Sequence, residues 1–499
     1  MRFNILFGGK AGQGPNILTK VIAESLLEKG YYVFYSRDYQ SLIRGGHNFN
    51  VLTFSEEPVS SNDSTLDILV ELDEGVTEIH KKELKKDAVI LKGHKENMYY
   101  AGRIAKLLCL DFKILEDQFK KIGSRFEENT RDAKAGYDNE KQTICKLIPK
   151  NKSAKLMNGS QAVAEGAVKS GLEIYYAYPM TPATGVLMEL AEMQKTNSHI
   201  TVELENETGV MNAALGSALF GAKSMVGTSG GGFDLMTEAL TVSGVAEIPV
   251  VAYLSQRPGP ATGVATATAQ GDLKMALNAG HGEFSRMVLA PGDPVECEEI
   301  TSQAFYFSQK FKIPAIILSD KHLSEAVFTT TQIPKLMKSE KTIKLGRFNS
   351  YEIEHKNQTA TEDAEIIKSN VESRMKKHKE IEKETEKFET FKTFGKKDSK
   401  NIILGWGSTK GAILDSIKNL DAKFIQILYL EPFPSKEIKK SIQNAKKIIL
   451  IENNATGQLG NLLTEKTGVF IEDKNKILRY DGKPFLADEL KKEIEARIK

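Results

Sequence analysis

Four short polar segments follow four predicted β-strands between residues 175 and 262, and they constrain the fold more than any other feature of the chain. The segments are Tyr178-Pro179-Met180-Thr181-Pro182, Glu205-Asn206-Glu207-Thr208-Gly209, Thr228-Ser229-Gly230-Gly231-Gly232 and Gln256-Arg257-Pro258-Gly259-Pro260. Each segment precedes a helical pattern or a Gly/Pro loop, which predicts the carboxyl ends of strands in a parallel α/β sheet, where such sheets bind ligands. We therefore expect a hydroxyl, carboxylates, a glycine turn and an arginine to converge on one rim.

Strands and helices alternate along most of the 499 residues, which predicts an α/β protein built from three parallel-sheet domains. The predicted domains are residues 1–150, 151–333 and 400–499. In the first of them, a β-turn-α-β order indicates an open parallel sheet. Residues 334–399 form a charged linker, in which Arg374–Glu386 has the pattern of a solvated helix with few apolar anchors.

Composition excludes several classes of protein. The 68 basic and 66 acidic residues leave a formal charge of +2, so no global field points to nucleic acid. The first residues resemble a strand rather than a signal peptide, and no apolar run reaches the length of a membrane span. Cys109, Cys145 and Cys297 are far apart and form no CxxC, so they supply no metal or cluster framework. We expect a cytoplasmic protein that binds neither nucleic acid nor membrane.

A glycine-rich loop, Gly8-Gly9-Lys10-Ala11-Gly12-Gln13-Gly14, lies between the first strand and the first helix. It matches neither a Walker A sequence nor GxGxxG in register. One interpretation is a tight turn that needs positive φ. The other is anion capture, with the backbone N–H groups of Gly12, Gln13 and Gly14 and the helix dipole facing a phosphate. A second polar loop, Arg44–Asn48, predicts either a phosphate or partner-carboxylate contact or an ordinary surface turn.

The side chains of the central rim each allow two interpretations. Thr181 precedes a proline and a helical pattern, which predicts a helix N-cap, and a hydroxyl at a helix start can at the same time orient a carboxylate ligand. Glu207 precedes a small-residue helix, where burial raises the pKa of an unpaired carboxyl, although an acid at a helix start also stabilises the helix. Arg257 is suited either to bidentate carboxylate binding or to a surface salt bridge.

The order of these motifs resembles the α subunit of the 2-oxoacid:ferredoxin oxidoreductases. That family usually shows Tyr-Pro-Ile-Thr-Pro and Thr-Ser-Gly-Pro-Gly-Phe, so Met180 and Gly231 depart from it without removing a functional side chain. Residues 1–150 resemble the family's γ domain, here fused ahead of α. Residues 151–333 resemble its pyrimidine-type thiamine diphosphate domain. Residues 400–499 resemble its transketolase C-terminal-like domain, including Leu-Glu-Pro-Phe-Pro and Thr-Gly-Gln-Leu.

The resemblance implies oxidative decarboxylation of a 2-oxoacid, acyl transfer to coenzyme A and electron transfer to ferredoxin, with thiamine diphosphate as cofactor. By motif position, Glu207 hydrogen-bonds the aminopyrimidine ring, with Glu205 as the alternative two residues away. Thr181 and Arg257 hold the substrate's carboxylate and keto oxygen. The implied cofactor contacts also include Tyr178 and Pro179 at the rim, and, for the coenzyme A phosphates, Gly12, Gln13 and Gly14.

The family's Mg²⁺ and diphosphate site and its 4Fe-4S cysteines lie on a β subunit, and nothing in this sequence matches them. The resemblance therefore implies half an enzyme, active in an αβ or (αβ)2 assembly, with the small-residue helix after Glu207 as a subunit contact. Pyruvate, 2-oxoglutarate and branched-chain acids all remain candidate substrates. The alternatives are an indolepyruvate-type or transketolase-like thiamine enzyme, and a nucleotide- or coenzyme A-binding regulatory protein without turnover.

Overall fold

The computed structural model describes residues 2–40, 46–94, 96–144, 148–150, 154–342 and 350–499. The predicted Arg44-Gly45 part of the second polar loop lies outside these ranges. The first elements in chain order are β1 Arg2–Gly9, α1 Pro15–Lys29, β2 Tyr32–Asp38, β3 Asn48–Ser55, β4 Leu66–Glu71, α2 Val76–Ile79, β5 Leu84–Leu91, α3 Asn97–Leu107, α4 Phe112–Ile122 and α5 Phe126–Asn139.

The sheet formed by these strands is mixed, not parallel as the strand and helix order predicts. Strand β1 pairs in parallel with β4 but antiparallel with β3, and β2 is also antiparallel to β3. The reason is the length of the connection, because only residues 39–47 join β2 to β3, too few for the helical crossover that a parallel pair needs.

The central elements contribute most of their strands to a second sheet. They are β6 Lys155–Asn158, α6 Gly159–Lys169, β7 Ile174–Ala177, α7 Thr184–Met193, β8 Ile200–Glu203, α8 Glu207–Leu219, β9 Ser224–Thr228, α9 Gly230–Ala246, β10 Val250–Gln256, α10 Leu273–Asn278, β11 Met287–Leu289, α11 Pro294–Phe311, β12 Pro314–Asp320, α12 Lys321–Glu325 and β13 Val327–Thr330. The parallel part of this sheet has the order β11-β12-β10-β9-β7-β8. Every residue of β10 and β12 is buried, as expected for parallel strands covered by helices on both faces.

Two strands of the central region belong to the N-terminal sheet instead. Strand β13 pairs antiparallel with β2 on one side and with β6 on the other. The N-terminal sheet therefore reads β5-β4-β1-β3-β2-β13-β6, and its last two strands come from beyond residue 150.

The C-terminal elements contribute five strands to a third sheet. They are β14 Ile353–Glu354, β15 Thr359–Ala360, α13 Ala364–Thr385, β16 Phe391–Gly395, β17 Asn401–Trp406, α14 Thr409–Ser416, β18 Lys423–Ile427, β19 Tyr429–Glu431, α15 Ser435–Ile442, β20 Lys447–Glu452, α16 Gln458–Thr467, β21 Lys476–Leu478 and α17 Ala487–Ile498. The order is β16-β18-β17-β20-β21, with β16 antiparallel at one edge. The predicted linker helix is α13, and β14 and β15, which pair with each other and not with the third sheet in the described part of the chain, precede it. The α/β class predicted from the sequence is confirmed.

The central and C-terminal regions are joined by a shared strand pairing and by a buried ion pair. Strand β19 adds antiparallel to β11 of the central sheet. The Lys410 ammonium lies 2.5 Å from Glu296 Oε1, and Gln426 donates to Glu296 Oε2 at 2.6 Å. Burial would raise the pKa of Glu296, but Lys410 and Lys392 lower it to about 2. The pairing keeps this buried carboxylate ionised, so separating the two regions would leave an uncompensated charge.

The expectations about membrane spans and about the cysteines can be compared directly with the fold. In the described part of the chain, no helix is both long enough and apolar enough to span a membrane. Cys297 is a buried free thiol, whereas Cys109 is disulfide-bonded.

Candidate active site

The four polar segments lie side by side at one rim of the central sheet, as predicted. Strands β8, β7, β9 and β10 are consecutive neighbours and run in parallel. Ala177 pairs with both Glu203 and Gly227, and Leu254 pairs with Thr228, so the strands end at nearly the same level. The polar residues that follow them therefore project from adjacent strand ends.

Glu207 is the most deeply buried carboxylate of this rim. It is the first residue of α8, whose N-cap is Asn206, since Asn206 Oδ1 accepts the Gly209 N–H at 2.8 Å. The residue is 4% exposed, and its Oε1 atom is buried without a hydrogen-bond partner among the described residues. An unpaired buried acceptor costs about 1–3 kcal/mol. Glu205 is exposed, so the geometry favours Glu207 as the group that meets a ligand.

The first turn of α9 leaves the space that this carboxylate occupies. A Cβ atom at Gly232 would lie 2.6 Å from Glu207 Oε1 and would also collide with the Thr228 hydroxyl. Any residue but glycine at position 232 would therefore push Glu207 away from the amino end of α9. The glycine turn predicted at the rim thus serves the close approach of a side chain.

Arg257 and Thr181 meet directly. Arg257 Nη1 donates to the Thr181 carbonyl oxygen at 2.6 Å, although the two residues are far apart in sequence. Burial lowers the pKa of Arg257, while the charges of Asp272 and Glu207 raise it. Among the described residues, the hydrogen bond of Arg257 goes to this carbonyl and not to a carboxylate, so the surface ion pair allowed by the sequence is not what is observed.

The N-cap interpretation of Thr181 is wrong. Helix α7 begins at Thr184, after a turn through residues 181–183, and the residue before it is Ala183. Thr181 therefore precedes the helix by too much to bond its first N–H groups. The threonine is half-buried and held at the rim through its backbone by Arg257.

Two polar groups at the same rim were missed by sequence reasoning. Ser229 Oγ and Asp272 Oδ2 are both buried without a hydrogen-bond partner in the described ranges. Ser229 precedes α9, and the Asp272 carboxylate lies over Gly230, 2.7 Å from where a Cβ atom would be. Burial and the neighbouring charge of Asp234 raise the pKa of Asp272 to about 6. The available signal was an aspartate just before a helix, which by itself indicates only a cap.

The predicted contacts Tyr178 and Pro179 are exposed at the outer part of the rim. Beside them, α8 presents Thr208, Asn212 and Gly216 to solvent at intervals of four residues, which places them on one helical face. Thr208 Oγ1 donates to the Leu235 carbonyl of α9 at 3.4 Å, and the Leu235 side chain is itself exposed. The rim therefore has a buried charged interior and an open face of small and apolar side chains.

Comparison with known proteins agrees with this arrangement. Residues 165–393 match the thiamine diphosphate-binding domain of the pyruvate flavodoxin/ferredoxin oxidoreductases, and residues 4–113 match a second domain of pyruvate ferredoxin/flavodoxin oxidoreductases. The 2-oxoacid:ferredoxin oxidoreductase subunit alpha of a Sulfolobus species is 28% identical, over 100% of this chain and 97% of the relative. The chain belongs to the 2-oxoacid:ferredoxin oxidoreductase family.

Other members of the family are similar over shorter stretches. The 2-oxoacid:ferredoxin oxidoreductase 2 subunit alpha of Aeropyrum pernix is 31% identical over 66% of this chain and 59% of the relative. The 2-oxoglutarate synthase subunit KorA of Methanothermobacter marburgensis is 25% identical over 60% of this chain and 87% of the relative. These similarities confirm the family predicted from the motif order.

The fold is that of a solved member of the family. A 2-oxoglutarate:ferredoxin oxidoreductase from Magnetococcus marinus, determined with 2-oxoglutarate, coenzyme A and succinyl-CoA bound, superposes with a TM-score of 0.87. The two chains cover each other completely at 22% identity. The two chains therefore share their fold at low sequence identity.

The predicted glycine loop lies on the N-terminal sheet, not on the rim that carries Glu207. Gly12 and Gly14 have φ of 91° and 80°, so the turn does require glycine. Gln13 Oε1 accepts the Lys10 N–H at 2.6 Å, and Gln13 Nε2 donates to Asp73 Oδ1 at 3.0 Å. The structure thus supports the tight-turn interpretation, with Gln13 as its brace, and leaves anion capture as a prediction.

A cavity of about 540 Å³ lies where the three regions of this oxidoreductase meet. Arg37 of the N-terminal sheet, Thr266 of the loop after β10 and Lys483 of the C-terminal region all line it. His322 also faces it, and burial together with the Lys321 charge lowers the pKa of His322 to about 3. This imidazole is therefore neutral at physiological pH.

Proposed function

We propose that this chain is the α subunit, with the γ domain fused at its N-terminus, of a cytoplasmic 2-oxoacid:ferredoxin oxidoreductase. With a β subunit it catalyses the coenzyme A-dependent oxidative decarboxylation of a 2-oxoacid to acyl-CoA and CO2, and electrons pass to ferredoxin. The observation that carries the proposal is the buried Oε1 atom of Glu207, which has no hydrogen-bond donor among the described residues. Glu207 lies on the same rim of strand ends as Arg257, in the part of the chain that matches the thiamine diphosphate-binding domain.

The residues at the rim fit the ring of thiamine diphosphate. Glu207 Oε1 is a buried acceptor that lacks a donor among the described residues, and a cofactor ring nitrogen would supply one. When bound, thiamine diphosphate supplies the carbanion chemistry at the 2-oxo carbon. Glu207 would accept the ring's hydrogen bond and hold its tautomer, and Gly232 keeps the space for this carboxylate open.

The substrate's carboxylate and keto oxygen would be held by Arg257 and Thr181. A guanidinium has five N–H donors, and the bond from Nη1 to the Thr181 carbonyl uses only one of them. That bond fixes the plane of the guanidinium, so its remaining donors are preoriented for a carboxylate. Pyruvate, 2-oxoglutarate and branched-chain 2-oxoacids share this carboxyl-keto group. Relatives named for 2-oxoglutarate make that acid the first to test.

The open face of α8 and Leu235 supports a second subunit at this rim. The small side chains of α8 allow another backbone to approach closely, and the exposed Leu235 adds apolar surface beside them. We assign the Mg²⁺-diphosphate site and the 4Fe-4S cluster to that β subunit, in an αβ or (αβ)2 assembly. The coenzyme A phosphates are assigned to the loop Gly12-Gln13-Gly14, at the amino end of α1.

The test compares the purified chain with the same chain co-purified with its β subunit. Each is assayed anaerobically with pyruvate, 2-oxoglutarate and 2-oxoisovalerate, coenzyme A and a low-potential electron acceptor. We expect turnover only from the assembled complex and only with coenzyme A present. Turnover by the isolated chain would contradict the split site. Tight calorimetric binding of coenzyme A, without turnover in either preparation, would favour a regulatory protein instead.

A further inference from the structure

Asp272 lacks the structural role that its position suggests. It immediately precedes α10, where aspartate is a preferred cap, yet its side chain accepts no capping hydrogen bond. Instead its backbone N–H donates to Gln256 Oε1 at 2.9 Å, and Gln256 Nε2 donates to the Ser319 carbonyl at 2.8 Å. The backbone of Asp272 is thus hydrogen-bonded to Gln256, the residue before Arg257, while its carboxylate takes no part in capping the helix.

That carboxylate lies at the amino end of α9, beside the candidate active site. Its Oδ2 atom is 2.7 Å from the Cβ position of Gly230 and is buried without a partner in the described part of the chain. Glu207 Oε1 occupies the equivalent place over Gly232, two residues further along the same helix. Two unpaired carboxylate oxygens therefore share one helix start, and Arg257 interacts electrostatically with both carboxylates.

Burial, more than the surrounding charges, favours the protonated form of Asp272. Asp234 on α9 is a like charge that raises its pKa together with burial, and Arg257 at the end of β10 opposes them. From α16 the adjacent group is the neutral amide of Gln458, which donates to the Gly271 carbonyl. On its own helix, Lys274 is exposed to solvent. Burial and Asp234 outweigh Arg257, so the pKa of Asp272 is raised from its usual value to about 6.

A 2-oxoacid that binds at Arg257 would bring a third carboxylate into this site. Arg257 can offset one or two negative charges but not three in a partly buried volume. One carboxylate must therefore take up a proton when the substrate arrives. Asp272 is the group placed for this, because it makes no direct hydrogen bond to Arg257 and Arg257 remains held by the Thr181 carbonyl when Asp272 is neutral.

We infer that Asp272 is a positioning residue that takes up one proton from solvent when the anionic 2-oxoacid binds to Arg257, and releases it when the carboxylate leaves as CO2. The inference rests on the function proposed above. Protonated Asp272 leaves the whole Arg257 charge to the substrate, whereas ionised Asp272 competes with it. The KM for the 2-oxoacid is therefore lowest below the pKa of Asp272 and rises as pH increases through about 6.

The test measures kcat and KM for pyruvate and 2-oxoglutarate with the assembled complex, between about pH 5.5 and pH 8.5. For the wild type we expect the rise in KM, with the same midpoint for both acids. Asp272→Asn mimics the protonated form without a titratable proton. At about pH 7 it should have a KM that is roughly 3- to 10-fold lower than the wild type, with no pH dependence between pH 5.5 and pH 8.5. Asp234→Asn removes the like charge and should move the midpoint to lower pH without abolishing the transition.

Several outcomes would overturn the inference. A wild-type KM that is constant across this range would do so, as would an Asp272→Asn complex with the wild-type profile or with kcat reduced equally at every pH. If the Asp272→Asn chain fails to assemble, an unmoved midpoint in Asp234→Asn overturns the inference by itself. A wild-type complex that turns over no 2-oxoacid would overturn this inference and the proposed function together, whereas turnover with a flat KM would overturn the inference alone.

Discussion

The central and C-terminal sheets each place a buried glutamate beside the start of a helix, and the two carboxylates differ in one respect. Glu452 ends β20 and is 0% exposed. Its Oε1 accepts the N–H groups of Leu459 and Gly460, and its Oε2 accepts the Trp406 indole N–H and the Asn454 amide. Glu207 is almost as deeply buried, but its Oε1 has no partner among the described residues.

This difference distinguishes a structural carboxylate from one that is available to a ligand. Glu452 accepts the otherwise unpaired N–H groups at the start of α16, so both of its oxygens are used inside the chain. Glu207 lies at a helix whose first turn is already capped by Asn206, so its free oxygen is left over for a donor from outside. Burial alone does not separate the two residues. The hydrogen-bond inventory does.

Replacing Glu207 tests the comparison most strongly. In the assembled complex, Glu207→Gln should reduce 2-oxoacid turnover by at least about 100-fold, because an amide presents the cofactor ring with a much weaker acceptor. Stability and assembly should be unchanged, since no protein donor depends on Glu207 Oε1. Turnover is measured anaerobically, and assembly by size-exclusion chromatography. Glu205→Gln, at an exposed neighbour, is the matched control and should keep the wild-type rate.

Arg257 provides the next largest effect at the same rim. Arg257→Lys keeps the charge but loses the guanidinium, whose several N–H groups can bind the Thr181 carbonyl and the substrate at the same time. The kcat/KM for the 2-oxoacid should therefore fall by about 10- to 100-fold. The KM for coenzyme A should stay unchanged. Lys274→Ala removes a nearby exposed cation and controls for long-range charge. If kcat/KM falls equally in both variants, Arg257 acts only through its long-range electrostatic charge and not through hydrogen bonds to the substrate.

Glu452 should show the opposite pattern to Glu207. Glu452→Gln places an amide N–H₂ against the donors of Trp406 and Asn454, so we expect a loss of about 1–3 kcal/mol in the free energy of unfolding. Residual folded complex should retain wild-type kcat and KM. Urea denaturation followed by Trp406 fluorescence, the chain's one tryptophan, measures the change. A stable variant with impaired turnover would break the comparison between the two glutamates.

The smallest expected effect is at the glycine loop of the N-terminal sheet. Gln13→Ala removes the brace to the Lys10 N–H and to Asp73, which loosens the N–H groups proposed to face the coenzyme A phosphates. The KM for coenzyme A should rise by about 3- to 10-fold, and the KM for the 2-oxoacid should not change. Gln142→Ala, at an exposed position, is the control. An equal rise in both KM values would mean that the loop acts on the fold as a whole.

The rim of Glu207 and Arg257 was predictable because strand ends in a parallel sheet meet at one edge, and local patterns show where strands end. The cap assigned to Thr181 failed because a turn separates Thr181 from α7, and that turn has no local signature beyond Pro182. Asp272 could not be found, since its role depends on contacts with Gly230 and Gln256 that are distant in sequence. The antiparallel pairing in the N-terminal sheet followed from a connection length that the strand pattern alone does not weigh.

The placement of β13 and β6 at the edge of the N-terminal sheet has a practical consequence for anyone who divides this protein. Val327 and Phe328 pair with Tyr35 and Phe34, so a fragment that stops near residue 150 would uncover the edge of β2 at these two residues. Exposed strand edges can pair with other molecules, so such a fragment should aggregate. The N-terminal region is therefore not expected to be stable as a separate fragment. Strands β13 and β6 complete the edge of the N-terminal sheet, and β13 follows the candidate active-site segments in the chain.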